Sequence, residues 1–172
     1  MELYSRRKFV SVALTGRDEL TAKAGLDDGV HEVQVIVVCR ATTAEIVSAQ
    51  AEMIKYPWNL CETAGKAIAL IEGIKIGPCI RREVEKKIGQ KEGCTHVADL
   101  VIEAIRGIIQ ARYRLRYWPT TQEERIKMVQ EDLKETCFTY SHPELPMEVR
   151  GDWSEGSLSE EVREQLKQHL DY

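Results

Sequence analysis

The chain has 172 residues, enough for one domain with a sizeable core and an appendage. Hydrophobic residues make up 43% and charged residues 30%, which is a globular composition rather than a disordered or fibrous one. The net charge of -4 gives no general nucleic-acid or membrane footprint, no stretch has the apolar length of a membrane span, and residues 1–8 lack the apolar core of a signal peptide, so a cytoplasmic protein is expected.

Residues 7–14 and 31–39 have the β-branched richness of strands. Residues 20–26 read as a further strand between them, and Asp27-Asp28-Gly29 as a turn. Residues 46–51 alternate and would close a small antiparallel sheet, although their Ala and Glu content also suits a helix. The pattern then becomes helical. Asn59 and Glu62 have the spacing of a capping box, opening a helix over residues 60–72 that Gly73 stops. Residues 78–88 start on Pro78, carry Ile80, Val84 and Ile88 on one face, and stop at Gly89. The strongest helix runs over residues 96–117, with an apolar stripe of Val97, Leu100, Val101, Ala104, Ile105 and Ile108. Its basic end, residues 112–116, reads as a solvated helix terminus with snorkelling arginines rather than as a nucleic-acid surface.

Charge divides the chain. Residues 1–118 carry 18 basic and 15 acidic side chains; residues 119–172 carry 6 and 13. The shift at Trp118-Pro119 predicts a core domain over 1–118 and an acidic helical extension over 119–172. Thr121/Glu124 and Ser157/Glu160 are capping boxes for two further helices, separated by a proline-bearing linker over 140–146. Each of these helices has one apolar stripe, to be buried on the first domain or on another chain, whether a protein partner or a second copy.

The five cysteines are odd in number and irregularly spaced, which argues against a disulfide framework. Cys39 ends an apolar strand and reads as core. Cys79 reads as packed or half exposed, and Cys137 as a bystander. Cys61 and Cys94 differ because both fall at helix starts, where free N–H groups and the helix dipole favour a thiolate. His96 lies two residues beyond Cys94. Thiolate and imidazole are zinc ligands, and the spacing is not that of a zinc finger. A fourth donor is expected from the turn into the second long strand, where Asp28 and His31 sit. The predicted metal set is therefore Cys61, Cys94 and His96 with His31 or Asp28. It suits zinc or iron, the latter including an iron–sulfur cluster with a non-Cys ligand. A thiol enzyme using Cys94 is a second reading, and an interaction module with buried cysteines a third.

Four segments carry a resemblance: Asp27-Asp28-Gly29-Val30-His31, Pro57-Trp58-Asn59-Leu60-Cys61, Gly73-Ile74-Lys75-Ile76 and Gly93-Cys94-Thr95-His96. Together they resemble a bacterial family of unknown function with a Gly-Cys-Thr-His signature, over roughly residues 5–118. More distantly, the order of strands, Cys-helix, helix and Cys-helix is similar to the NifU/IscU scaffold for iron–sulfur assembly. That likeness implies an α+β fold with three to four antiparallel strands followed by packed helices. It also implies ligands gathered at one end: Cys61 matches the middle ligand, Cys94 and His96 the last pair in altered order, and Asp28 or His31 the place of a missing first cysteine.

Overall fold

The computed structural model describes residues 1–117, 121–146 and 148. Four strands form one antiparallel meander in the order β1-β2-β3-β4: β1 (Arg7–Gly16), β2 (Glu19–Asp27), β3 (Glu32–Arg40) and β4 (Ile46–Lys55). The last of these is the segment whose composition also suited a helix. It is a strand because it pairs with β3, and an extra residue at Val47, between the Val38–Ser48 and Cys39–Ile46 pairs, brings Ile46 and Ala49 to the same buried face although they are three residues apart. The fold is α+β, as the sequence pattern predicted.

The period of two sorts the sheet into faces. Leu20, Ala22, Ala24 and Leu26 of β2 and Val33, Val35, Val37 and Cys39 of β3 are buried together. The helices follow in sequence: α1 (Leu60–Gly65), α2 (Ile80–Ile88), α3 (Thr95–Tyr117), α4 (Gln122–Leu133) and a single turn, α5 (Phe138–Ser141). The α3 stripe is as expected, with Leu100, Val101, Ala104 and Ile108 fully buried. Gly107 lets α3 cross close to β1, since a Cβ there would lie 2.9 Å from Val12 and 3.0 Å from Val10.

Three local expectations change. The predicted helix over 60–72 is α1 continued by a 3-10 segment, Lys66–Ile71, ending before Gly73 at φ +78°. The Asn59 capping box does not form. Asn59 is itself helical, at φ -52° and ψ -32°, whereas a capping side chain needs extended backbone to reach forward. The linker expected over 140–146 begins as the end of α5. By contrast, Thr121 and Glu124 form the full reciprocal capping box that opens α4.

The chain divides into two compact units, Met1–Arg112 and Tyr113–Tyr172, so the division falls inside the α3 sequence. Trp118-Pro119, where the composition shifts, and the predicted helix after Ser157 lie outside the described residues. In the second unit Val129 is buried, and Arg116 pairs with Asp132 at 2.8 Å. The basic end of α3 is thus partly neutralised by the protein itself. Arg112, in the first unit, donates to the carbonyls of Ala41 and Thr42 at 2.7 and 3.2 Å. No helix among the described residues is long and apolar enough to cross a membrane.

Candidate metal centre

The β2–β3 turn is built by its two aspartates. Asp27 Oδ1 accepts from the N–H of Gly29 at 2.9 Å, and Gly29 takes the left-handed φ of +82° that the turn requires. Asp28 Oδ1 accepts from the N–H groups of Val30 and His31 at 3.2 and 2.8 Å. It also lies 3.2 Å from Nδ1 of His31. A carboxylate at that distance holds the proton on Nδ1 and leaves the lone pair of the His31 ring on Nε2. The sequence Asp-Asp-Gly-Val-His therefore aims an imidazole by folding a short turn around its own carboxylates.

His96 arrives from a different element. Cys94 is the residue on which α3 starts, its carbonyl accepting from the N–H of Ala98 at 2.9 Å. Thr95 and His96 follow in the first turn. The His96 ring meets the His31 ring at a centroid distance of 4.1 Å with 35° between the planes. One ligand atom from each of Asp28, His31 and His96 can be chosen so that all three lie within 4.8 Å of one another.

Electrostatics keep Asp28 ionised and His96 neutral. The Asp28 carboxyl is held far below the usual carboxylate range, first by the His31 N–H, and further by Arg6, Val30 and the His31 ring, against an opposing effect of burial. Its side chain is only 4% exposed, yet its cover is shallow: it sits near the molecular surface with Arg6 and Tyr4 lying against it. His96 is pushed below its ordinary value of 6.5, chiefly by burial and then by its neighbours His31 and Arg6, with Asp28 and Asp99 pulling the other way. A depressed value keeps the imidazole neutral at pH 7, the form that donates a lone pair.

The structure places the predicted residues unequally. Asp28, His31 and His96 come together. Cys94 is adjacent: its Sγ lies 3.9 Å from Nδ1 of His96, but it falls outside the three-residue group. Cys61 is the second residue of the six-residue α1 and is likewise outside that group. Cys39 is fully buried, and burial pushes its thiol up to about 11, as suits a core residue. Cys79 is exposed rather than packed, because it precedes α2 instead of joining its apolar face.

Two residues at the site had no sequence signal. Arg6 Nη2 lies 2.9 Å from Asp28 Oδ2, and the Tyr4 hydroxyl lies 3.4 Å from the same oxygen. The β1–β2 register explains the meeting: Arg7 pairs with Asp27, so the residue before one lies beside the residue after the other. A protein-family model described as protein of unknown function (DUF2889) matches residues 10–110, a span that holds Asp28, His31 and His96. No curated protein and no solved structure matches the chain.

Proposed function

The chain belongs to the DUF2889 family, whose function is unknown, and on that premise we propose that it is a metal-binding protein with His31 and His96 as the nitrogen donors and Asp28 as the carboxylate. The observation that carries this reading is the convergence of the three ligand atoms, from a turn and a helix 65 residues apart in sequence, within 4.8 Å. Nitrogen and oxygen ligands of zinc lie about 2.0–2.2 Å from the ion, hence about 3.4 Å from each other at the tetrahedral angle. Side-chain rotations that bring the atoms up to about 1.4 Å closer close that difference. Two imidazoles and a carboxylate suit a single zinc or ferrous ion. They do not suit an iron–sulfur cluster as well, because clusters are held mainly by thiolates.

Gly93-Cys94-Thr95-His96 is then the signature's working part: it delivers His96 and sets a sulfur beside its Nδ1. The likeness to NifU/IscU scaffolds belongs to this proposal as an order of elements, with a stable ion site in place of cluster assembly. Self-association or a protein partner is the proposed role of the acidic segment over 119–172. It is tested by whether removing that segment changes oligomeric state while metal content holds.

The main test is elemental analysis of protein purified without an affinity tag or added metal. Stoichiometric zinc or iron is expected in the wild type, with loss in His31→Ala/His96→Ala and retention in Cys137→Ser. Equal metal content in wild type and the double variant overturns the proposal.

The 3.9 Å approach of Cys94 to His96 favours a second reading, a thiol enzyme with Cys94 as nucleophile and His96 as base. Iodoacetamide labelling separates the two. A thiol enzyme requires Cys94 to react much faster than the exposed Cys79 and to slow in His96→Gln.

A further inference from the structure

The two oxygens of Asp28 are not equivalent. Oδ1 is committed to the turn, accepting from Val30, His31 and the His31 ring. Among the described residues Oδ2 accepts from two side chains, Arg6 at 2.9 Å and Tyr4 at 3.4 Å. Both come from residues 1–6, which belong to no helix or strand and are exposed. Arg6 also lies over the Tyr4 ring, 5.5 Å from its centroid, so the two residues act on Asp28 as one unit.

A guanidinium cannot lose its proton to make way for another cation. A divalent ion at the imidazoles would repel Arg6 and compete with it for the same oxygen. Oδ1 cannot be surrendered without undoing the turn that aims His31, so Oδ2 is the exchangeable partner.

We propose that residues 1–6 form a latch on the site: Arg6 and Tyr4 hold Asp28 Oδ2, and a divalent cation binds by displacing them. The proposal rests on the metal-binding reading and adds what competes for the site. Because the two events are linked, whatever weakens the latch tightens the metal, and the metal in turn frees the latch.

Zinc affinity is measured on the full chain by competition with a chromophoric chelator. Arg6→Ala is expected to bind zinc about tenfold more tightly than the wild type, equivalent to about 1.4 kcal/mol, and Tyr4→Phe to shift in the same direction by less. Unchanged or weaker binding in Arg6→Ala makes Arg6 a structural support and overturns the latch while leaving the metal reading intact. Absence of zinc binding in both chains overturns the metal reading and the latch with it. A second readout needs no variant of the latch. Trypsin must draw an arginine into its specificity pocket to cut after it, so Arg6 has to leave Asp28 before the Arg6–Arg7 bond is cleaved. Zinc is expected to accelerate that cleavage several-fold in the wild type and not in His31→Ala/His96→Ala. Unchanged cleavage in a wild type shown to bind zinc overturns the latch.

Discussion

Removing the Asp28 carboxylate is the sharpest single perturbation of this fold near its candidate site. Asp28→Ala loses two acceptor bonds from backbone N–H groups, the contact with the His31 ring, a long bond from the Tyr4 hydroxyl and one ion pair. Each backbone bond contributes about 1 kcal/mol net. The ion pair adds about 0.5 kcal/mol, since Arg6 is 30% exposed and the cover over Asp28 is shallow enough for solvent to screen it. The expected loss is about 2–3 kcal/mol, or roughly 5–10 °C in Tm for a chain of this length. Asp28→Asn keeps an acceptor for the turn and loses only the charge, so about 1 kcal/mol is expected. The sign with pH also follows. The folded-state pKa of Asp28 lies below its ordinary 3.8, so its charge-dependent contribution is complete above that value and is lost as the pH falls below it. The gap between wild type and variants in urea unfolding should be constant between about pH 5 and 7 and narrow below pH 3.8. An Asp28→Ala chain within about 0.5 kcal/mol of wild type at pH 7 would refute the idea that this carboxylate organises the turn.

His96 should make stability fall on mild acidification. Its folded pKa is below 6.5, so the unfolded chain takes up the proton first and stability drops as the pH falls below that value. Thermal melts of wild type and His96→Gln, scanned downward from pH 7, should converge if this is right and run parallel if it is not. Gly29→Ala should cost about 1 kcal/mol, because alanine does not readily adopt φ +82°, and zinc affinity should fall with it as His31 loses its aim. Leu100→Ala, one turn beyond His96 and fully buried, should cost about 2–5 kcal/mol in denaturant unfolding through the cavity it leaves. Cys61→Ser should leave metal retention unchanged, whereas the original ligand set with Cys61 requires a loss, so elemental analysis of that one variant decides between the two sets.

Local chemistry carries a large part of this protein on its face. The alternation of β-branched residues over 7–14 and 31–39, the Asp-Asp-Gly turn and the long α3 stripe each follow from a period of two or of 3.6 together with a turn residue. The strand over 31–39 and the α3 helix were legible because a strand or an amphipathic helix must show its buried face in the sequence whatever it packs against, whereas β1, with no buried residue, showed itself through β-branched composition. The residue types of the site were legible for a similar reason: His31 and His96 sit at element ends, where side chains can converge.

What needed the third dimension was which donors meet. Asp28 and His31 face His96 because the β2–β3 turn and the start of α3 come together in space, and no spacing in the chain states that distance. Cys61 shares the helix-start signal of Cys94, but it opens a separate six-residue helix and takes no part in the three-residue group. Arg6 and Tyr4 were invisible until the register put Arg7 opposite Asp27. A strand records which face of it is buried; which neighbour lies beside it is settled only when register and packing are minimised together, and the pairing that results here sets a guanidinium on the carboxylate that lies beside the two histidines.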